Sequence, residues 1–352
     1  MKTENNNERL LIVVLNWNGA EVTLDCCKSL LELTSNNYDV LIIDNNSVRG
    51  DYIKLELGLK AYSCDYFDIK GPQIYDDLLC EYLIDEIKSY NFISEANFIL
   101  MRSSINHGFA RGCNLGAKYA LKNNYENVLF LNNDTLVEND FLSPLLLSLK
   151  QADAVIPQIR YCHDKSMIWN CGGDISMFGS RKYFFANKKI QDVVFPSVVF
   201  PVTFATGCCI LFRTDYFIKI GMFSEQFFFG EEDIELALRL KKKKSNVVCN
   251  TESIIYHKVG ASIQGDPERI LRKAYIHYLN RFINMKFFLG KIWYLWIIPS
   301  TLKIIINLLT INKISIKSAI VFSLFLISDA FHLKEVNKEK FEETLKNGIS
   351  RQ

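Results

Sequence analysis

The sequence predicts an α/β protein with a mostly parallel central sheet flanked by helices. Residues 10–15 (LLIVVL) and 38–43 (YDVLII) are continuous aliphatic runs, which is typical of strands that are buried on both faces. Between them, residues 22–33 carry apolar side chains at helical spacing. The succession of strand, helix and strand indicates a βαβ unit, and a βαβ unit requires parallel strands.

The same alternation continues toward residue 260. The sequence predicts strands at residues 97–102, 128–131, 154–159 and 247–256, an apolar segment at 198–212, and helices at 110–123, 138–150 and 231–241. The last helix begins with acidic residues, which suits its positive N-terminal dipole. Residues 50–95 are mixed and acidic, and we interpret them as an insertion with a helix at 75–90.

The composition changes near residue 270. We therefore predict an α/β domain at 1–270 and a helical, apolar extension at 271–352. Residues 286–317 contain lysines and no acids, and Pro299 interrupts the longest apolar run before it reaches the ~20 residues of a spanning helix. We expect this extension to contact a membrane surface. The alternative is a set of buried helices that cover the sheet.

Composition excludes several classes of protein. A net charge of +2 over 352 residues argues against a general nucleic-acid binder. None of the ten cysteines is spaced as C-x-x-C, which argues against a zinc site. The polar N-terminus, MKTENNNER, lacks the apolar core of a signal peptide, and we therefore expect a cytoplasmic protein.

Three predicted strands end in polar clusters. These are Asn16-Trp17-Asn18, Asp44-Asn45-Asn46-Ser47 and Asn132-Asn133-Asp134. Ligands of open parallel sheets bind beyond the carboxyl ends of the strands, so the clusters together predict a site for a polar ligand. Taken singly, each has the composition of an ordinary turn. The dinucleotide and P-loop fingerprints are both absent from the sequence.

A glycine-rich segment, NHGFARGCNLG, occupies residues 106–116. Gly108, Gly112 and Gly116 recur at every fourth position, which allows two interpretations. They could line one face of a closely packed helix, or the segment could bring backbone amides and Arg111 to a phosphate. The sequence does not decide between them.

Acidic residues mark two further candidate positions. Asp134 offers the hard oxygen ligand that Mg²⁺ or Mn²⁺ prefers, although a capping turn is the simpler interpretation. Glu232 and Asp233 follow the aromatic residues 227–229, where an acid can act as a general base, although helix N-termini often carry acids. His257, taken alone, is more typical of a packed histidine than of a ligand.

Taken together, these motifs resemble glycosyltransferase family 2, whose members are inverting enzymes with the GT-A fold. The pattern is closest to bacterial rhamnosyltransferase-like members. The matching pieces occur in the family's order: VVLNWNG (13–19), LIIDNNS (41–47), NHGFARGCNLG (106–116), LFLNNDT (129–135), TGCCILFRTDYFIKIGMFSEQFFFGEEDIELALRL (206–240) and HKVGAS (257–262). The ordered set is specific, whereas no single piece is.

The resemblance implies a role for each matching residue. Asp134 would be the main ligand of a divalent metal, Mg²⁺ or Mn²⁺, and His257 would lie near the metal and the diphosphate. Asp233 would be the catalytic base, within the family's Glu232-Asp233 pair. The nucleotide-sugar donor would contact Leu15, Asn16, Asp44, Asn46, Asn106, Gly108, Arg111, Asn114, Asn132 and Asn133.

Two residues depart from the family's pattern. The metal motif begins with Asn132 where an acid is usual, and Glu235 stands where the family commonly has aspartate. The resemblance implies transfer from dTDP-rhamnose or a UDP-hexose to a glycan or lipid-linked acceptor, at the inner face of the cell membrane. The alternatives are a sugar nucleotidyltransferase, for which NWNG is a poor phosphate loop, and an inactive nucleotide-sugar-binding protein at the membrane surface.

Overall fold

A computed structural model of the protein describes residues 9–35, 37–68, 77–93, 96–259, 267–310 and 314–348. The strands are β1 (Leu10–Asn16), β2 (Tyr38–Asp44), β3 (Asp65–Asp68), β4 (Ile84–Asn91), β5 (Asn97–Ser103), β6 (Asn127–Asn132), β7 (Thr135–Val137), β8 (Ala154–Tyr161), β9 (Ile168–Asn170), β10 (Gly173–Ile175), β11 (Arg181–Tyr183), β12 (Val199–Pro201), β13 (Cys209–Arg213) and β14 (Val247–His257). The α-helices are α1 (Ala20–Leu31), α2 (Arg49–Tyr62), α3 (Asp77–Glu81), α4 (Phe109–Lys122), α5 (Leu142–Leu149), α6 (Thr214–Ile220), α7 (Glu232–Lys242), α8 (Pro267–Leu289), α9 (Trp293–Thr310), α10 (Ile316–His332) and α11 (Lys338–Asn347).

Twelve of the described strands form one mixed sheet. Its order is β12-β14-β8-β13-β6-β1-β2-β5-β4-β3, with β7 beside β14 and β9 beside β8. The four central strands β6, β1, β2 and β5 are parallel, as the aliphatic runs predict. The antiparallel pairings flank this centre, and β13 enters antiparallel between β6 and β8. The predicted α/β class is therefore confirmed, with four parallel strands at the centre of the sheet and a second parallel pair, β8 with β14, on one side.

Both faces of the central strands are buried. In β1, Leu10, Ile12 and Val14 pack into the core on one face of the sheet, whereas Leu11 and Val13 pack into the core on the other. Because side chains alternate along a strand, an uninterrupted aliphatic run is what two covered faces require. The predicted burial of this run on both faces is thus confirmed.

Residues 50–95 are an integral part of the sheet where the structure describes them. The helix α2 buries Tyr52, Leu55 and Leu59, and it packs against α1. The strand β4 pairs antiparallel with β5 and extends the sheet. The helix predicted at 75–90 is wrong beyond α3, because the open edge of β5 supplies β-ladder hydrogen bonds that outweigh local spacing. Residues 69–76 and 94–95 lie outside the described residues.

The C-terminal helices share a third core with the end of the α/β part. Trp293, Leu308 and Leu326 pack in one cluster with Ile234 of α7 and with Phe227, which precedes α7. Pro299 lies inside α9, so the prediction that it ends the longest apolar helix is wrong. Proline removes one helical hydrogen bond, and the buried face of α9 offsets that loss by packing.

One described helical stretch satisfies the length and composition of a membrane span. Residues 270–310 contain a window of mean hydropathy 1.6, of which 28% is buried in the protein. A core helix of a soluble protein can satisfy the same criteria. This stretch shows that the extension is apolar. Length and composition do not distinguish a membrane helix from a core helix.

Candidate active site

The polar ends of β1, β2 and β6 meet at one edge of the sheet. Asn16 lies opposite Asp44 in the pairing of β1 with β2, and Leu15 lies opposite Asn132 in the pairing of β1 with β6. This register follows from parallel strands of similar length. The predicted convergence of the three clusters at the carboxyl edge is confirmed.

The Asp44 carboxylate is fully buried and is bonded by neighbouring strand ends. Asn16 Nδ2 donates to Asp44 Oδ1 at 2.9 Å, and the Ser47 amide donates to Oδ2 at 3.1 Å. The guanidinium of Arg102 lies 3.6 Å from Oδ2. Asn16 is itself fully buried and accepts a bond from Thr23. These contacts fix the edge, while Asn46 beside them is partly exposed with a φ of 62°.

Asn45 is a positioning residue that the predicted site omitted. Its Nδ2 donates to Asn106 Oδ1 at 2.9 Å and to the Gly108 carbonyl at 3.0 Å. Its Oδ1 accepts from the His107 amide at 2.8 Å. The buried Asn45 side chain therefore anchors the 106–108 loop to the end of β2. The sequence signal for Asn45 was its position between Asp44 and Asn46, which were both predicted to lie at the site.

The glycines of α4 explain how this helix packs on β1. A Cβ at Gly112 would lie 2.6 Å from Leu15 Cδ1, and a Cβ at Gly116 would lie 2.5 Å from Val13 Cγ1. Both positions thus provide the close helix–strand packing of the first interpretation. Gly108 has a φ of 81°, and a Cβ there would lie 2.2 Å from the Phe228 carbonyl oxygen. The 106–108 loop therefore packs closely against the loop that precedes α7.

Arg111 and Asn114 make contacts within the protein. The Arg111 guanidinium lies over the Tyr82 ring, 5.3 Å from its centroid, and donates to the Glu81 carbonyl. Asn114 is buried, and its Nδ2 donates to the Phe223 carbonyl and to Glu225 Oε1, each at 2.9 Å. Asn114 thus holds the chain that leads to the acidic helix α7. A donor-binding role for either residue stays a prediction.

The LFLNNDT stretch ends β6 with partly exposed Asn132, Asn133 and Asp134. Asn133 Nδ2 donates to Thr23 Oγ1 at 2.9 Å, which ties this turn to α1. Strand β14 pairs with β7 so that His257 lies opposite Thr135. As a result, His257 Nε2 lies 3.2 Å from Asp134 Oδ1. Residues 260–262 of the HKVGAS piece lie outside the described residues.

Asp134 and His257 fit the ligands of a divalent metal whose remaining ligands come from a substrate. Asp134 Oδ1 and His257 Nδ1 are buried atoms without a hydrogen-bond partner among the described residues, and the 3.2 Å contact lacks hydrogen-bond geometry. No group of three His, Cys, Asp or Glu side chains converges within the described part of the chain. Two ligands from the protein suit a hard cation that also takes diphosphate oxygens.

The acidic motif begins at a left-handed residue and opens α7. Glu231 has a φ of 77°, and its buried side chain pairs with Arg281 of α8. Asn284, also from α8, donates to Glu231 Oε1 at 3.1 Å. Asn280 donates to the carbonyls of Phe229 and Gly230. One polar face of α8 therefore holds the acidic loop, although α8 belongs by sequence to the C-terminal extension.

The carboxyls of Glu232 and Asp233 have different electrostatic surroundings. Burial raises the pKa of Glu232, and the Asp233 charge raises it further. Burial also raises the pKa of Asp233, but the guanidinium groups of Arg181 and Arg281 act to lower it. Of the two carboxyls, Asp233 therefore has the surroundings that better favour the charged form.

Backbone contacts place this pair at the same edge as the metal motif. The Asn132 amide donates to the Cys208 carbonyl at 2.8 Å, next to Gly207. A Cβ at Gly207 would lie 3.9 Å from Asp233 Cβ and 3.7 Å from the Phe109 ring. The Thr206-Gly207 turn thus lies between β6 and the start of α7. Arg181 of β11, like Arg281, was missed in the sequence because each lies far from any motif.

Part of the chain matches a known family. Residues 80–221, less than half of the chain, match the model of glycosyl transferase family 2. The matched residues include the 106–116 segment and Asp134, whereas the ends of β1 and β2, the Glu232-Asp233 pair and His257 lie outside them.

One curated protein is similar to part of the chain. Over 146 residues the chain is 26% identical to the O-antigen biosynthesis protein RfbC of Myxococcus xanthus. The match covers 40% of this chain and 12% of the relative, so the chain spans only a small part of that protein's length.

Two solved glycosyltransferases with the GT-A fold align with this chain. GalNAc-T7, solved with UDP, GalNAc and Mn²⁺, aligns with a TM-score of 0.54 and 13% identity over 80% of this chain and 48% of that chain. The mannosyltransferase PcManGT from Pyrobaculum calidifontis, in complex with GDP-Man and Mn²⁺, aligns with a TM-score of 0.51 and 12% identity over 92% of this chain and 75% of that chain. The predicted GT-A fold is confirmed.

Proposed function

We propose that this protein is a glycosyltransferase of family 2, which transfers a sugar from a nucleotide-sugar donor to an acceptor hydroxyl with inversion at the anomeric carbon. The observation that carries the proposal is the convergence of two chemically different groups at one sheet edge. Asp134 and His257 form a pair suited to a metal, and Glu232 with Asp233 forms a pair suited to proton transfer. Metal-assisted departure of a diphosphate needs the first pair, and activation of a hydroxyl needs the second.

The donor would lie over the carboxyl ends of β1, β2 and β6. Partly exposed Leu15, Asn46 and Asn132 border this edge, while buried Asn16 and Asp44 shape it from below. Asp134 and His257 would hold Mg²⁺ or Mn²⁺, which when bound supplies positive charge to the diphosphate leaving group. The Mn²⁺ present with two structural relatives supports a divalent ion here.

Asp233 would act as the catalytic base. Its carboxylate accepts the proton of the acceptor hydroxyl while the hydroxyl oxygen bonds to the anomeric carbon. The bond from that carbon to the diphosphate oxygen breaks on the opposite face, and the nucleoside diphosphate leaves with the electron pair. A single displacement of this kind inverts the configuration. Arg181 and Arg281 support the role because they favour the charged form of Asp233 over that of Glu232.

For substrates we propose dTDP-rhamnose or a UDP-hexose as donor and a lipid-linked or growing surface glycan as acceptor. The family pattern of the motifs favours this donor class, and the name of the Myxococcus xanthus relative supports surface polysaccharide synthesis. We place the enzyme in the cytoplasm, peripheral to the inner face of the cell membrane. All ten cysteines are free, which is consistent with a reducing compartment.

The decisive experiment is a thermal titration of the purified chain with dTDP-, UDP- and GDP-sugars, each with and without Mn²⁺. A ligand at about 100 times its dissociation constant stabilises the folded state by roughly 2.7 kcal/mol. We expect Mn²⁺-dependent stabilisation by one donor, followed by release of its nucleoside diphosphate when acceptor is added. Donor binding without any transfer to lipid-linked acceptors would favour the inactive binding protein, and no response to any donor would overturn the proposal.

A further inference from the structure

The helices α9 and α10 each expose an apolar stripe to solvent. On α9 this stripe comprises Leu295, Ile298, Leu302 and Ile306, with Leu295 73% exposed. On α10 it comprises Ile316, Ile320, Leu324 and Phe331, with Ile316 66% exposed. Each set recurs at the three- and four-residue spacing of a single helix face. We call these eight residues the outer stripes.

The opposite face of each helix is apolar as well. Trp293, Ile304 and Leu308 of α9 and Phe322 and Leu326 of α10 are buried in the core that both helices share with α8. A helix that covers a soluble domain normally pairs one apolar face with one polar face. Two adjacent helices that are apolar on both faces therefore indicate a second apolar environment outside the protein.

The charge around the outer stripes is mostly positive, and Asp329 of α10 is paired with Lys340. Residues 269–328 contain nine lysines and arginines and no aspartate or glutamate. Lys291, Lys303 and Lys317 are exposed and form no ion pair with any residue that the structure describes. A positively charged border around an apolar face matches an anionic lipid surface, in which lysines contact headgroups and apolar side chains enter the acyl boundary.

We infer that the outer stripes of α9 and α10 lie in the surface of an anionic bilayer, with both helices in the membrane plane and not across it. A spanning arrangement of residues 270–310 would remove Trp293 and Leu308 from the core. It would also separate Asn280, Arg281 and Asn284 of α8 from the acidic loop that they hold. In-plane docking keeps all of these contacts and buries only the faces that are now exposed.

Docking of α9 and α10 on a membrane would also connect the lipid surface to the acidic loop through α8. The helix α8 leads directly into α9 through the turn at Gly290–Ile292 and also contacts the loop of Glu231. The lipid surface and the candidate base are therefore connected by one rigid helix. The inference deepens the proposed membrane location by naming the helix faces that contact the bilayer and the lipid charge that they require, and only the delivery of a lipid-linked acceptor rests on the proposed function.

Vesicle flotation of the full chain tests the inference directly. We expect the protein to float with phosphatidylcholine vesicles that contain phosphatidylglycerol, and to bind pure phosphatidylcholine vesicles more weakly. The triple variant Ile298→Glu/Leu302→Glu/Leu324→Glu should lose flotation. The matched control Leu57→Glu/Leu147→Glu, at exposed leucines of α2 and α5, should float like the unmodified chain. Each of Lys291→Gln, Lys303→Gln and Lys317→Gln should weaken anionic-vesicle binding roughly fivefold.

Three outcomes would overturn the inference. The triple variant could float as well as the unmodified chain, the unmodified chain could form a dimer that the triple variant abolishes without any vesicle binding, or vesicle-bound protein could resist extraction by alkaline carbonate as a spanning helix does. A urea unfolding transition like that of the unmodified chain shows that the triple variant is folded. The two proposals are tested separately, because vesicle binding is measured without donor and donor binding without vesicles.

Discussion

Arg281 of α8 forms a buried ion pair with Glu231, the residue that precedes the Glu232-Asp233 pair. The Arg281 Nε donates to Glu231 Oε1, and its NH1 donates to the Gly179 carbonyl at 2.7 Å. Glu231 has a left-handed backbone conformation, which an L-residue adopts only when its surroundings enforce it. Arg281, together with Asn280 and Asn284 of the same helix, thus fixes the loop that carries the candidate base.

Replacement of Arg281 should shift the pH dependence of transfer. The guanidinium lowers the pKa of Asp233, so Arg281→Gln should let that pKa rise. A base works only when deprotonated, and the acidic limb of the kcat profile should therefore move to higher pH. Arg281→Lys, which keeps the charge, should move it less. An unshifted limb in Arg281→Gln would show that Arg281 has no electrostatic effect on the base.

The same substitution should destabilise the fold through Glu231. Removal of one partner leaves a buried carboxyl without its counter-charge, and such losses cost about 3–5 kcal/mol. The double variant Glu231→Gln/Arg281→Gln should recover much of this stability, as measured by urea unfolding. Its acidic limb should lie below that of Arg281→Gln, because the Glu231 charge, which repels the Asp233 charge, is lost together with Arg281. No recovery of stability in the double variant would mean that Arg281 does not stabilise the fold through Glu231.

Asp233 and Glu232 should differ sharply when each is replaced by its amide. Asp233→Asn removes the base and should lower kcat about 10²–10⁴-fold with donor affinity nearly unchanged. The raised pKa of Glu232 favours its neutral form, and the amide in Glu232→Gln resembles a neutral carboxyl. This variant should therefore retain far more activity. The assignment would be reversed if Glu232→Gln were the more damaging change in single-turnover assays.

The central sheet and the polar edge were predictable from the sequence because they depend on local patterns. An aliphatic run such as 10–15 marks a strand buried on both faces, and strand parallelism then places Asn16, Asp44 and Asn132 together. The position of β4 was not predictable, since its pairing depends on the open edge of β5. Local spacing in that segment fits a helix as well as a strand.

Sequence motifs could not predict which residues hold the acidic loop in place. Arg181 lies 52 residues before Asp233, and Arg281 lies 48 residues after it. Neither arginine belongs to a recognisable sequence pattern. Their approach depends on how α8 and the β10–β11 hairpin fold around α7. The role of Asn45 was easier to predict, because Asn45 lies inside the polar cluster at residues 44–47. Only the structure distinguishes its anchoring bonds from those of Asp44.

Asp134 should be required for the effect of metal on donor binding. The variant Asp134→Asn keeps the shape of the side chain and removes the charge that a divalent cation needs. Mn²⁺-dependent thermal stabilisation by the donor should be lost in this variant and kept in Asp140→Asn, a matched change at an exposed aspartate nearby. His257→Ala should weaken the same response. Equal donor stabilisation with and without Mn²⁺ in the unmodified chain would show that the site does not use a metal to bind the donor.

Gly108→Ala should destabilise the contact between the 106–108 loop and the loop before α7. The new Cβ would lie 2.2 Å from the Phe228 carbonyl oxygen, and the φ of 81° is strained for alanine. Backbone strain of this kind costs about 1–3 kcal/mol, and the steric contact adds to it. We expect a lower urea midpoint together with weaker donor binding, because the same loop borders the site through Asn106.

Gly50→Ala is the matched control for that substitution. Gly50 lies in the first turn of α2, has no positive φ, and a Cβ there would meet no atom within 4 Å. Alanine is favoured over glycine in helices by about 1 kcal/mol, so this variant should be as stable as the unmodified chain or slightly more stable. Equal urea midpoints for Gly108→Ala and Gly50→Ala would mean that the two loops separate readily. The close contact at Phe228 would then not position the acidic motif.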